Sequence, residues 1–227
     1  MPTVLITGAN RGLGLEFVRQ YADNNWKVIA TCRDPETAKD LYDIQGDKEI
    51  LPLDVTDFEA IEQTSELLRS EKIDVLLNNA GVYDSDKNGL GKTNFDDWTK
   101  MLRINTIAPL KIVESFISQV VSSKRKVIVS ISSLLGSLSA NDTGGQYAYR
   151  SSKSALNSVN KSLSIDLARK GIISIVISPG WARTDMGGPN AAVDPIDSVS
   201  GIRRVINNLK PEDSGKFFNY DGSNIDW

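Results

Sequence analysis

The chain contains no histidine and a single cysteine, Cys32, in 227 residues. Without histidine there is no Ser-His-Asp or Cys-His nucleophile pair and no histidine-bound metal, so proton transfer falls to Tyr, Lys, Cys or carboxylates. One cysteine excludes an internal disulfide framework and a cysteine-clustered zinc site and suits a reducing compartment; no metal is expected, and the cytoplasm is the expected location. An excess of basic charge is also missing. Twenty-six Lys and Arg stand against 29 Asp and Glu, a formal net charge of −3, so nucleic-acid binding by counterion release is not expected. No apolar run approaches the roughly 18 residues of a membrane span. The opening MPTVLITGANRG is broken by Thr7 and Arg11 and reads as a folded strand rather than a secretory signal.

What is present is an alternation. Residues 3–6 form a branched apolar run, glycines follow, and residues 13–21 carry helical spacing. The same reading gives strands at 28–31, 50–53 and 73–77 with helices at 35–42 and 58–69, three βα units that predict a parallel sheet. After a polar loop at 83–93, helices are expected at 98–103 and 107–121, then a strand at 126–131 and a long helix at 149–169 stopped by Gly171. Residues 172–177 predict another buried strand, 196–209 a last helix and 216–220 a last strand. The strands lack period-two alternation, as expected where helices cover both faces of a parallel sheet. No domain boundary is evident, so 1–227 is read as one domain, with the Gly- and Pro-bearing segment 184–195 as a mobile flap.

Three constellations carry chemistry. Thr7-Gly8-Ala9-Asn10-Arg11-Gly12-Leu13-Gly14 follows the first strand and opens the first helix, where close backbone approach and free amides favour a phosphate. Its spacing is GxxxGxG, not GxGxxG; a turn that merely packs helix on strand, or a methyltransferase turn, fits this segment alone. Tyr149 and Lys153 stand four apart on one helix, so an ammonium can favour the phenolate; the alternative is an exposed pair of little consequence. Ser132 and Ser133 follow a buried strand, at the edge where open α/β sheets bind ligands, or else simply end it. Trp98, Trp181 and Trp227 are candidates for an apolar pocket or for packing.

Together these pieces resemble the short-chain dehydrogenase/reductase family over nearly the whole chain. TGxxxGxG is residues 7–14, NNAG is Asn78-Asn79-Ala80-Gly81, the helix asparagine is Asn105, YxxxK runs from Tyr149 to Lys153, and PGxxxT is Pro179-Gly180-Trp181-Ala182-Arg183-Thr184. Within it, GGQYAYRSSKSALN and GKFFNYDGSNIDW are most similar to sniffer-like and C-factor-like carbonyl reductases. The resemblance implies a Rossmann-type doubly wound parallel sheet, three layers αβα, in a single dinucleotide-binding and catalytic domain. It implies that Tyr149 donates a proton to a carbonyl oxygen while nicotinamide gives hydride. Ser133 would bind that oxygen, Lys153 would bind the ribose and depress the phenol, and Asn105 would hold a relay water. Ser133 is preferred from the SS-x-x-G pattern, and Ser132 stays open because extra loop residues separate the pair from Tyr149.

The implied cofactor contacts are Gly8, Asn10, Arg11, Gly12, Leu13, Gly14, Arg33, Asp54, Val55, Asn79, Ala80, Gly81, Tyr149, Lys153, Pro179, Gly180 and Thr184. The second strand ends Thr31-Cys32-Arg33 without the carboxylate that NAD-preferring members place there. Arg33 and Arg11 suit a 2′-phosphate, so the expected cofactor is NADPH; Arg33 is otherwise a surface partner of Asp34, and Asp54 a turn residue. Expected partners are a small carbonyl substrate and, by resemblance only, further copies in a homodimer or homotetramer, with neither nucleic acid nor membrane. The alternatives are an NADPH-binding sensor with little turnover and an NAD-dependent alcohol or steroid dehydrogenase.

Overall fold

The computed structural model describes residues 1–83 and 89–227; part of the 83–93 loop lies outside them. Among the described residues, seven strands form one parallel sheet in the order β3-β2-β1-β4-β5-β6-β7. They are β1 Thr3–Thr7, β2 Lys27–Cys32, β3 Lys48–Pro52, β4 Val75–Asn78, β5 Val127–Ile131, β6 Ile173–Ser178 and β7 Phe217–Asn219. Their helices are α1 Gly12–Asp23, α2 Lys39–Asp43, α3 Phe58–Leu67, α4 Phe95–Leu102, α5 Ala108–Val121, α6 Tyr147–Asp166 and α7 Pro195–Asn208. This is the expected Rossmann-type architecture, a three-layer αβα sandwich.

Alternate strand residues feed two cores. Val4, Ile6, Val28, Ala30, Val75 and Leu77 pack with Phe17, Val18 and Tyr21 of α1 and Val199, Ile202 and Ile206 of α7. Leu5, Ile29, Leu76 and Ile128 face the other way, onto Ile61 of α3 and Ile112, Val113 and Phe116 of α5. Both faces are apolar, which explains the missing period-two pattern. β1 pairs with β2 on one side and β4 on the other, Val4 opposite both Val28 and Val75. The winding direction therefore reverses at β1, and the crevice beyond its carboxyl end is where doubly wound sheets bind ligands.

Three expectations need correction. Residues 35–42 do not form one helix: a 3₁₀ turn at Pro35–Thr37, whose Thr37 hydroxyl bonds back to the Asp34 carbonyl at 3.1 Å, precedes the five-residue α2. The helices expected at 98–103 and 107–121 are one continuous rod, joined by a π turn at Arg103–Ile107. Pro109 supplies the reason, since it has no N–H to continue the ladder to the Asn105 carbonyl and the rod widens ahead of it. The 184–195 segment, expected to be mobile, is stitched down. Arg183 N donates to Val193 O at 2.8 Å, Val193 N to Trp181 O at 3.0 Å, and Trp181 Nε1 to Gly187 O at 2.8 Å. No helix among the described residues is long and apolar enough to cross a membrane.

Candidate active site

The carboxyl ends of β1, β2, β4, β5 and β6 open onto a groove of about 360 Å³. At its centre, Gly8 and Gly12 adopt φ of +66° and +55°. A Cβ on Gly14 would lie 2.1 Å from the Gly8 carbonyl, so α1 can begin this close to β1 only with glycine there. No side chain among the described residues caps the start of α1, so its first amides stay available to an anion.

The Asn-Asn-Ala-Gly segment fastens this turn. Asn79 Nδ2 donates to Thr7 O at 2.9 Å and Gly8 O at 3.0 Å, while the Thr7 hydroxyl accepts from the amides of Asn79 and Ala80, each at 3.1 Å. Asn79→Ala removes both donors to the turn and is expected to cost about 1–3 kcal/mol, read by urea unfolding, together with weaker dinucleotide binding.

At the β2 end, Arg33 is exposed and Cys32 buried, both lining the groove. Burial pushes the Cys32 thiol up, which opposes thiolate reactivity. Asp54 feels burial that raises it, but hydrogen bonds from the Thr56 amide and hydroxyl, both 2.8 Å, with the charges of Arg33 and Arg103, hold its carboxyl below the usual range. Arg11 reaches across the groove mouth to Asp185 at 3.1 Å; with side chains 61% and 79% exposed, that pair is weak.

At the β5 end the structure separates the two serines. Ser132 borders the groove, yet its hydroxyl turns inward and donates to Asn157 Oδ1 at 2.6 Å. Ser133 caps the 3₁₀ turn Leu134–Gly136 and is hydrogen-bonded to the Tyr149 phenol. Gly136 lets that turn lie on α6, for a Cβ there would meet Lys153 Cβ at 2.9 Å.

Tyr149 and Lys153 do share a helix face, but their electrostatics differ from the expectation. Lys153 Nζ donates to the Ile131 carbonyl at 2.8 Å, 5.8 Å from the Tyr149 ring centre. Burial pushes the ammonium down to about 8. Burial likewise pushes Tyr149 up to about 12, and the Ser133 hydrogen bond offsets it only in part. The lysine therefore does not depress the phenol in this arrangement, because both groups are desolvated and Nζ is engaged elsewhere.

Of the other expected residues, Gly8, Asn10, Arg11, Gly12, Leu13, Gly14, Val55, Asn79, Ala80, Gly81, Pro179 and Thr184 line the groove. Gly180 does not; at φ +71° it packs behind the wall, where a Cβ would meet the Tyr220 ring at 2.9 Å. Asn105 is buried in the π turn, its amide exchanging two 2.9 Å hydrogen bonds with the Val82 backbone and donating to Ser152 Oγ at 3.0 Å. Its side chain is thus occupied by a clamp. Trp98 bridges α4 to Ser151, and Trp227 stacks on Phe217. Thr56, Val82, Lys100, Ile104 and Met186 line the groove without having been anticipated, since no motif marks them.

The fold and groove define a glycine-turn, doubly wound α/β protein with a Ser-Tyr-Lys cluster beside its anion-ready helix. The chain belongs to the short chain dehydrogenase family, whose model matches residues 2–193, and is an oxidoreductase of that family. It is 41% identical to the C-signal of Myxococcus xanthus over 155 residues, 68% of this chain and 93% of that protein. Among solved structures it resembles the carbonyl reductase Sniffer of D. melanogaster, TM-score 0.93 and 33% identity with both chains fully covered. It also resembles an NADPH-bound carbonyl reductase from chicken fatty liver, TM-score 0.90 and 33% identity over all of this chain and 99% of that one.

Proposed function

We propose that the chain reduces aldehydes, ketones or quinones with NADPH, residues 1–227 acting as one dinucleotide-binding and catalytic domain. The observation that carries this reading is the convergence of Ser133, Tyr149 and Lys153 on the groove that also holds the glycine turn. The groove fits the cofactor: uncapped α1 amides suit a pyrophosphate, and Arg33 directly follows β2 where a carboxylate would repel a 2′-phosphate. Similarity to carbonyl reductases with NADPH bound supports the same choice.

Arg33 and Arg11 would hold the 2′-phosphate, Asp54 the adenine side, Lys153 the nicotinamide ribose, and Thr184 the nicotinamide end. Bound NADPH supplies the hydride. Ser133 and Tyr149 both hydrogen-bond the substrate oxygen, and Tyr149 passes its proton to it as negative charge develops. With its side chain held by Val82 and Ser152, Asn105 would offer its main-chain carbonyl to a water on the path to Lys153. Assembly into a homodimer or homotetramer in the cytoplasm belongs to this reading and is checked by sedimentation and fractionation.

The test is the rate of NADPH oxidation with a reactive aromatic dicarbonyl, NADH in parallel. Turnover with NADPH supports the reading. Arg33→Ala is expected to weaken NADPH about tenfold, the loss of one charge-assisted contact, and to leave NADH unchanged. Equal losses for both nucleotides would favour an NAD-dependent dehydrogenase. The similarity to C-signal favours a second reading, an NADPH-binding signalling protein, which tight binding without reduction across a carbonyl panel would select.

A further inference from the structure

Tyr149 is held at three points. Its hydroxyl meets Ser133, and the Lys153 ammonium lies over its ring. The third support is Tyr83, whose ring meets that of Tyr149 edge to face, 4.7 Å between centres and 79° between planes. Edge-to-face pairs of this kind are favoured by the ring quadrupoles beyond the area they bury.

Tyr83 is delivered there by the Asn105 clamp. Its neighbour Val82 exchanges both backbone hydrogen bonds with the Asn105 amide, and the same amide donates to Ser152, three residues along α6 from Tyr149. One buried side chain thus ties the segment after β4 to the helix that carries the phenol.

We propose that Tyr83 is a positioning residue for the proton donor: its ring, set by the Asn105 clamp, keeps the Tyr149 phenol turned toward Ser133. This inference rests on the reading of Tyr149 as the proton donor. A phenol has two free torsions, and removing one wall lets its hydroxyl swing out of the hydrogen-bond reach that acid catalysis requires. A displacement of about 1 Å at such a group costs on the order of a hundredfold in rate. The titratable groups beside the phenol are Lys153 and Tyr83, and burial with the nearby Tyr83 charge raises Tyr149, so uncovering it moves its titration downward.

The test uses the full chain carrying Tyr83→Ala, Tyr83→Leu or Tyr83→Phe. In turnover with NADPH and the dicarbonyl, Ala and Leu are expected to lose about ten- to a hundredfold in kcat. KM and NADPH binding should stay within about twofold, and Phe, which keeps the ring pair, should match the wild type. Spectrophotometric titration without cofactor, each variant compared with its own Tyr149→Phe double, should show the Tyr149 midpoint falling furthest toward 10 in Ala and Leu and less in Phe, which keeps the ring cover and loses only the Tyr83 charge. Wild-type kcat in Ala and Leu, or a Phe variant as impaired as Ala, overturns the proposal. If the unmodified chain reduces no carbonyl, the function reading fails by itself, and an unmoved midpoint in Ala and Leu still overturns the role given to Tyr83. Should Tyr83→Ala not fold, the bulk-preserving Leu variant carries both measurements.

Discussion

Tyr149→Phe is expected to lower kcat for NADPH-dependent carbonyl reduction by about a hundred- to ten-thousandfold, the range for removing a positioned general acid. NADPH binding should be retained, because the groove contacts of the glycine turn and Arg33 do not involve the phenol. The size of the loss follows from the absence of a substitute. The chain has no histidine, and the Ser133 hydroxyl is too weak an acid to take over. Stopped-flow reduction with fluorescence titration of NADPH separates the two effects, and a variant with near-normal turnover would end the proposed mechanism. The same substitution has an alkaline signature. Tyr149 is raised to about 12, so above pH 10 the unfolded chain loses a proton that the folded one keeps, and stability falls as pH rises. The Phe variant should lose less stability than the parent over that range.

Lys153→Met is expected to move activity and stability in opposite directions. The Lys153 ammonium is buried with one carbonyl acceptor, and burial holds it at about 8 against an ordinary 10.5. Below pH 8 both folded and unfolded chains carry the charge, and the folded one bears the desolvation cost. Between about 8 and 10.5 the unfolded chain binds more protons, so stability rises with pH; above 10.5 both are neutral and the cost is gone. Methionine, similar in length and uncharged, should therefore raise the stability of the cofactor-free protein at pH 7 by about 1–3 kcal/mol and add little at pH 10. Turnover should fall by about a hundredfold or more, since the ribose contact and the proton path go with the ammonium. Urea unfolding at both pH values reads the first effect and steady-state reduction the second. No gain at pH 7 would mean that the ammonium is better solvated than its burial implies.

Residue order and spacing placed every strand within a few positions of its observed bounds and brought sixteen of the expected cofactor residues to one groove. This was possible because glycine at 8, 12 and 14 and the apolar runs of β1, β5 and β6 answer local demands: a close backbone approach and burial on both faces. The misread elements were those where a distant contact or a missing donor decides. Residues 35–42 carry helical composition yet break at Ala38, and the rod containing Asn105 widens into a π turn ahead of Pro109, which has no N–H to give.

The linear order of motifs was therefore enough to establish a doubly wound sheet, a phosphate-ready turn and a Tyr-Lys pair on one helix face, since each depends on neighbours at most a few residues away. Which of Ser132 and Ser133 faces the phenol, what Asn105 holds, that Tyr83 stands against Tyr149, and that burial pushes the Lys153 ammonium down were decided only by folding. Those properties come from groups 16 to 66 positions apart in the chain, and from how much water the packed sheet and helices leave around each charge.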